Sequence, residues 1–228
     1  MAHDQKIMPY LDSCNIACGG HAGDRDTIRR TLRLAKEFHV KPGAHPSFVD
    51  RENFGRTEVS VAPELLRSQL VNQIGLIIEM AREENMDLHH VKAHGALYNK
   101  AARSLETARL FIEAVQFFDL DLCIYIPFNS LIEKMAIEME IPYMTEVFAD
   151  RNYDDNFKLL PRSERDALIE SPVEIKKRVE RLLSEGTLVS LHGKKRIVNF
   201  DTVCVHGDHP KAVEIVKVLR DLKSSYIE

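Results

Sequence analysis

The sequence predicts an α/β fold, a single domain spanning residues 1–228 in which parallel strands alternate with helices. Three observations carry this expectation. Short continuous apolar runs recur along the chain, amphipathic helical periods separate them, and histidines and carboxylates gather where the runs end. A chain of 228 residues can bury one sizeable core and is short for two α/β domains.

The apolar runs Ser13–Gly19, Lys41–His45, His89–Gly95, Leu120–Pro127, Pro142–Ala149 and Asp201–Gly207 read as buried strands, too short and too continuous for amphipathic helices. Helical periods fill the intervals at Asp24–Phe38, Pro63–Glu84, Ala96–Phe118, Asn129–Glu140, Pro172–Ser184 and His209–Leu222. Asp24 is placed to cap the first of these, and Pro63 and Pro172 suit first-turn positions. Leu188–Val198, centred on His192-Gly193-Lys194-Lys195, reads as a hairpin inserted before the last strand. Two long loops, Pro46–Ala62 and Asp150–Ser171, each follow a strand, on the side where parallel barrels carry their chemistry.

Composition excludes several classes. With 44% hydrophobic and 29% charged residues, neither a disordered nor a membrane chain is indicated, and no apolar run has the ~20 residues of a spanning helix. The opening Met1-Ala2-His3-Asp4-Gln5-Lys6 lacks a signal-peptide pattern, so a cytoplasmic location is expected. A net charge of −4 with no basic stretch gives no reason to expect a nucleic-acid partner. Cys14, Cys18, Cys123 and Cys204 form no Cys-x-x-Cys pair and are expected as reduced, buried core thiols. The long apolar helices could serve a homo-oligomer, although barrel helices need only their own sheet.

The strand ends carry the chemistry. They read Cys18-Gly19-Gly20-His21-Ala22-Gly23-Asp24, Gly43-Ala44-His45-Pro46, Lys92-Ala93-His94-Gly95, Glu146-Val147-Phe148-Ala149-Asp150-Arg151 and Val205-His206-Gly207-Asp208. One histidine so placed is ordinarily structural; four strands ending in histidine and a fifth in carboxylates point to a shared polar site. The flanking glycines suit tight turns as well as close approach of a small ligand. His90 and His94 cannot share a metal, because four residues of strand span ~13 Å at ~3.3 Å each. Gly193-Lys194-Lys195 is no phosphate-binding loop, and no dinucleotide fingerprint or nucleophile elbow occurs. Two mechanisms stay open: a divalent metal activating water, or metal-free acid–base chemistry on a small polar substrate. The absence of compact ligand spacing leans toward the second.

Taken together these segments resemble the LamB/YcsF family. The resemblance runs from Ile7 to Leu219 and is carried by Ile7-Met8-Pro9-Tyr10, Asn15 to Asp24, Gly43-Ala44-His45-Pro46-Ser47-Phe48 and Asn53-Phe54-Gly55-Arg56. It continues through His90 to Tyr98, Glu146 to Arg151 and Val203 to Asp208. It implies a divergent parallel β/α barrel, similar to the glycoside hydrolase/deacetylase architecture, of about seven strands in the family. It implies hydrolytic opening of the 5-oxoproline lactam to glutamate, with ATP as co-substrate and with 5-oxoprolinase subunits B and C as partners. On this resemblance His45, His94, His206, Asp208 and Glu146 are the expected catalytic groups. Asn15, His21, Asp24, Lys92, Asp150 and Arg151 are the expected substrate contacts, with Lys92 and Arg151 facing anionic oxygen. A divalent metal, if used, would fall to His21, His45 and His94. The alternatives are a metal-dependent deacetylase or amidohydrolase, and a non-catalytic small-molecule-binding subunit. Two departures stand out: Ala93 replaces a frequent proline and Gly20 a frequent phenylalanine. Family members also begin further upstream, with a strand carrying an Asn-Cys-Asp-x-Gly-Glu type motif. Without it six parallel strands remain, and the first is expected to present an unpaired edge.

Overall fold

A computed structural model describes residues 3–226. In chain order the elements are helix α1 (Asp4–Ile7), a 3-10 turn (Met8–Tyr10), β1 (Ser13–Ala17), α2 (Arg25–Glu37), β2 (Lys41–His45), α3 (Pro63–Glu83) and β3 (His90–Val91). Next come α4 (Gly95–Arg103), α5 (Leu105–Gln116), β4 (Cys123–Pro127), α6 (Leu131–Glu138) and β5 (Tyr143–Phe148). The chain closes with α7 (Pro172–Glu185), β6 (Thr187–Val189), β7 (Lys195–Ile197), β8 (Thr202–Cys204) and α8 (Ala212–Tyr226). Strands alternate with helices as in a divergent β/α barrel, and β6–β7 are the inserted hairpin. The elements fall into two compact units: Asp12–Thr145, and Met1–Leu11 with Glu146–Glu228.

In the first unit β1, β2, β3 and β4 pair in parallel in that order, with Ala17 opposite His45 and Gly43 opposite His90. Among the described residues β1 pairs with β2 alone, and the segment before it is helical rather than a strand. The centres of β2 and β4 are apolar because both faces are covered, with Ala44 and Ile124, like Val91 of β3, fully buried, whereas β1 leaves Asn15 exposed. Three of the unit's helices start at a polar cap: Asp24 accepts from Thr27 N, Ser104 from Thr107 N and Ser130 from Glu133 N. Leu32, Leu70, Ile74, Leu97 and Phe111 close the core, each contributing about 1.5–3 kcal/mol by burial.

The expected strand His89–Gly95 is a two-residue ladder, because His94 already caps α4 and Gly95 turns the chain into it at φ 56°. The expected single helix Ala96–Phe118 is two, α4 and α5. Ser104 adopts extended backbone between them and caps the second, a break that periodicity alone cannot register because the apolar stripe continues across it.

In the second unit β5 and β8 pair in parallel, with Glu146 opposite Thr202 and Phe148 opposite Cys204. Helices α7 and α8 pack through Ile175, Val179, Ile215 and Leu222, while Ile7 joins Ala212 and Val216 in a second cluster. The hairpin is antiparallel, with Thr187 opposite Ile197. Gly186, at φ 60°, ends α7 in the left-handed conformation that leads into it. The segment Asp150–Ser171 is not structureless, being pinned by bridges between Arg151 and Leu168 and between Tyr153 and Leu159.

All four cysteines are free. Cys14 and Cys18 are buried as expected, whereas Cys123 and Cys204 are partly exposed. Among the described residues no helix is long and apolar enough to cross a membrane.

Candidate functional site

The ends of β1, β2 and β3 bring three histidines into ring contact. His21 and His94 stack face to face, centroids 3.7 Å apart and planes within 7°. His45 meets His94 edge-on at 4.8 Å. The register explains the meeting: β2 ends at His45, and His94 N donates to Pro46 O one step beyond it. His45 Nδ1 donates to Lys92 O at 2.7 Å, which leaves its Nε2 to accept from His94 Nδ1 at 3.0 Å. His94 Nε2 faces the Phe54 carbonyl at 2.9 Å. Filled throughout, this row from the Lys92 carbonyl to the Phe54 carbonyl requires three N–H groups, one more than two neutral imidazoles carry. A third would put a positive charge on the pair.

Burial opposes that charge. It pushes His45 well below the ordinary histidine range, assisted by the neighbouring His94 and Lys92. His21 is brought down to about 4 by burial and then by the Arg56 and Arg51 guanidiniums. His21 Nδ1 lies 3.0 Å from Ser47 Oγ. Lys92 is 3% exposed, with its ammonium 5.6 Å from the centre of the Tyr98 ring.

The loop Pro46–Ala62 folds over these rings. Phe54 presents its ring edge-on to His21 and His94 at 5.1 and 5.4 Å, and Arg56 lies over the Phe54 face. Gly55 has φ 65°, and a Cβ there would stand 2.9 Å from His21 Cβ and 3.1 Å from His94 Cδ2. Gly55 O accepts from Ala96 N at 2.9 Å, tying the loop to the first turn of α4.

The second unit holds a different arrangement. Asp150 is fully buried, and its carboxylate accepts from His206 N at 2.9 Å and from His206 Nδ1 at 3.0 Å. Burial alone would raise this carboxyl; the His206 hydrogen bonds and charge outweigh it and hold it below the usual range. Glu146 is buried on β5. Asp208 is exposed and forms an ion pair with Arg162 at 3.0 Å. Arg151 Nε donates to Ala167 O at 3.2 Å and its terminal nitrogen to Leu160 O, so the guanidinium braces its own loop.

The expected residues thus form two groups, one per unit. Asn15 is exposed on β1, with Oδ1 3.0 Å from His90 Nε2, and His90 stacks on Tyr125. Asp24 acts as the cap of α2, accepting from Thr27 N at 2.7 Å. His21, His45 and His94 do not fit a metal. Among the described residues no three His, Cys, Asp or Glu side chains are disposed to hold one. Face-to-face rings direct their lone pairs along parallel planes, and both nitrogens of His45 and of His94 are engaged. Sequence reasoning passed over Ser47, Phe54 and Gln73. The first two lie inside motifs that carry the family resemblance; Gln73 sits in an apolar helical stripe and gives no signal of its own.

Residues 1–227 match the model of the LamB/YcsF family. A Pyrococcus horikoshii protein named as the A subunit of 5-oxoprolinase is 42% identical over 217 residues, covering 95% of this chain and 85% of the relative. One of the same name from Thermus thermophilus is 39% identical over 219 residues, covering 96% and 88%. The crystal structure of a lactam utilization protein from Thermus thermophilus superposes with a TM-score of 0.90 at 37% identity, covering 98% of this chain and 89% of that one.

Proposed function

The chain belongs to the LamB/YcsF family, and from that premise we propose that it is the A subunit of an ATP-dependent 5-oxoprolinase. The reaction opens the lactam of 5-oxo-L-proline to L-glutamate with cleavage of ATP, in the company of subunits B and C. The observation that carries this reading is the family membership at about 40% identity to proteins of that name, joined to the hydrogen-bonded His45–His94 row at the strand ends. Dependence on ATP makes the cytoplasm the expected location.

The chemistry explains the coupling. A five-membered lactam is an unstrained amide, and its carbonyl carbon resists water. Phosphate transferred from ATP to the carbonyl oxygen turns that oxygen into a leaving group. Water then adds at the carbon and the C–N bond breaks, the ring nitrogen gaining a proton as it becomes the amine of glutamate. A second water hydrolyses the γ-glutamyl phosphate so formed, and phosphate departs. Two proton movements are needed at ring opening: one off the attacking water, one onto nitrogen. His21 and His45 are suited to these because burial keeps them neutral or nearly so, His94 is hydrogen-bonded to His45, and Lys92 supplies positive charge for the oxygen that becomes anionic. In the second unit, the Asp150–His206 pair fixes an imidazole by a carboxylate, as proton-transferring histidines commonly are.

The test is glutamate release from 5-oxoproline and ATP by the chain assembled with its two partner subunits. Activity that falls at least a hundredfold in His94→Ala and His45→Ala, with assembly intact, is the expected outcome. An assembled complex that releases no glutamate would sink the reading.

A further inference from the structure

We infer that Ser47, clamped by Gln73, is a positioning residue that holds His21 in the Nδ1–H tautomer and so makes His21 Nε2 the proton acceptor of the site. The acceptor role rests on the reaction proposed above; the tautomer does not.

A single hydrogen decides the tautomer. Ser47 is fully buried, and its hydroxyl has one proton to give. The hydroxyl donates it to the Phe48 carbonyl, 2.7 Å away. Toward His21 the same oxygen therefore offers only a lone pair, and the 3.0 Å contact requires His21 Nδ1 to carry the hydrogen. A ring held neutral by burial and by the flanking Arg56 and Arg51 then has its lone pair on Nε2.

Gln73 makes this arrangement rigid. Its Oε1 accepts from Ser47 N at 3.0 Å while its Nε2 donates to Ser47 O at 2.8 Å, so one amide grips both backbone groups of the serine. The side chain reaches there from α3, on an otherwise apolar face of that helix, and is itself buried. A buried amide so placed needs partners, and Ser47 meets both sides of it. Space for the grip comes from Gly20: a Cβ at that position would stand 2.3 Å from Gln73 Oε1 and 2.7 Å from Ser47 Oγ.

The experiment has two arms. Long-range proton–nitrogen NMR of the full chain at neutral pH, with the His21 signals assigned by difference against His21→Asn, reads the tautomer directly. The expected result is a protonated Nδ1 and an unprotonated Nε2 in the native chain. Ser47→Ala should release the preference and populate the Nε2–H form. Gly20→Ala, which displaces the Gln73 amide without deleting it, should do so in part and provides a second variant if Ser47→Ala folds poorly. A native His21 found in the Nε2–H form would overturn the assignment. In the second arm, turnover by the complex with its partner subunits should lose about tenfold or more in kcat for Ser47→Ala with little change in KM. An altered tautomer with unaltered kcat would remove His21 as the acceptor. Because the NMR arm needs neither partner nor substrate, an inactive wild-type complex would count against the reaction and leave the tautomer standing.

Discussion

The two units set their histidines against opposite kinds of neighbour. In Asp12–Thr145, His21, His45 and His94 face a hydroxyl, backbone carbonyls and one another, and near cations. In the other unit, His206 faces the carboxylate of Asp150. A buried imidazole among neutral acceptors and cations loses its charge, whereas a carboxylate favours it. His21 and His45 are thus unprotonated bases; His206 is held in a fixed ion pair or a strong hydrogen bond. One residue type serves two purposes, and the neighbours decide which.

The sharpest way to break this contrast is by activity. His94→Ala is expected to lower kcat in glutamate release by about 10² or more, since it removes both a base and the link to His45. Asp150→Asn should cost kcat less while costing stability more; equal losses of kcat would mean that both units share the proton chemistry.

Acid provides the next test. His21 falls from 6.5 to about 4 on folding, so the unfolded chain binds the extra proton between those values. The stability that neutral His21 provides is whole above pH 6.5 and is lost as pH drops toward 4, by about 3 kcal/mol at ~1.36 kcal/mol per unit. Asp150 behaves differently: its contribution is whole above 3.8 and fades only below that. Urea midpoints followed by probes placed in each unit should show the first unit weakening at higher pH than the second. Coincident pH profiles would refute the contrast.

Smaller effects should follow in order. Asp150→Asn replaces a charged acceptor of two hydrogen bonds and is expected to cost about 1.5–3 kcal/mol in a urea titration. Arg162→Ala breaks a partly exposed ion pair with Asp208 and should cost under about 1 kcal/mol. A loss of several kcal/mol there would show that Asp208 is more than a surface partner.

Much of this was legible in the sequence. β2 falls on the run that predicts it, because its centre, Pro42 to Ala44, is buried and the strand ends on His45. His21, His45 and His94 were legible as a group because parallel strands deliver their ends to one side. What the chain order could not convey was direction. Arg151 looks like an anion clamp until its guanidinium is found on the carbonyls of Ala167 and Leu160. Asp208 stands at a strand end and yet pairs outward with Arg162. Gln73 was illegible for another reason: a polar residue in an apolar stripe has many structural explanations, and only its two bonds to Ser47 select among them.

The fit between Gly20 and Gln73 reaches beyond this one chain. Positions 53 residues apart in the sequence occupy one small volume, and the 2.3 Å from a Cβ at Gly20 to Gln73 Oε1 means that any side chain there would have to move the amide. A relative bearing phenylalanine at position 20 has no room for a glutamine in this pose and must hold its serine by other means. The grip on Ser47 therefore depends on a missing side chain as much as on the amide that makes it.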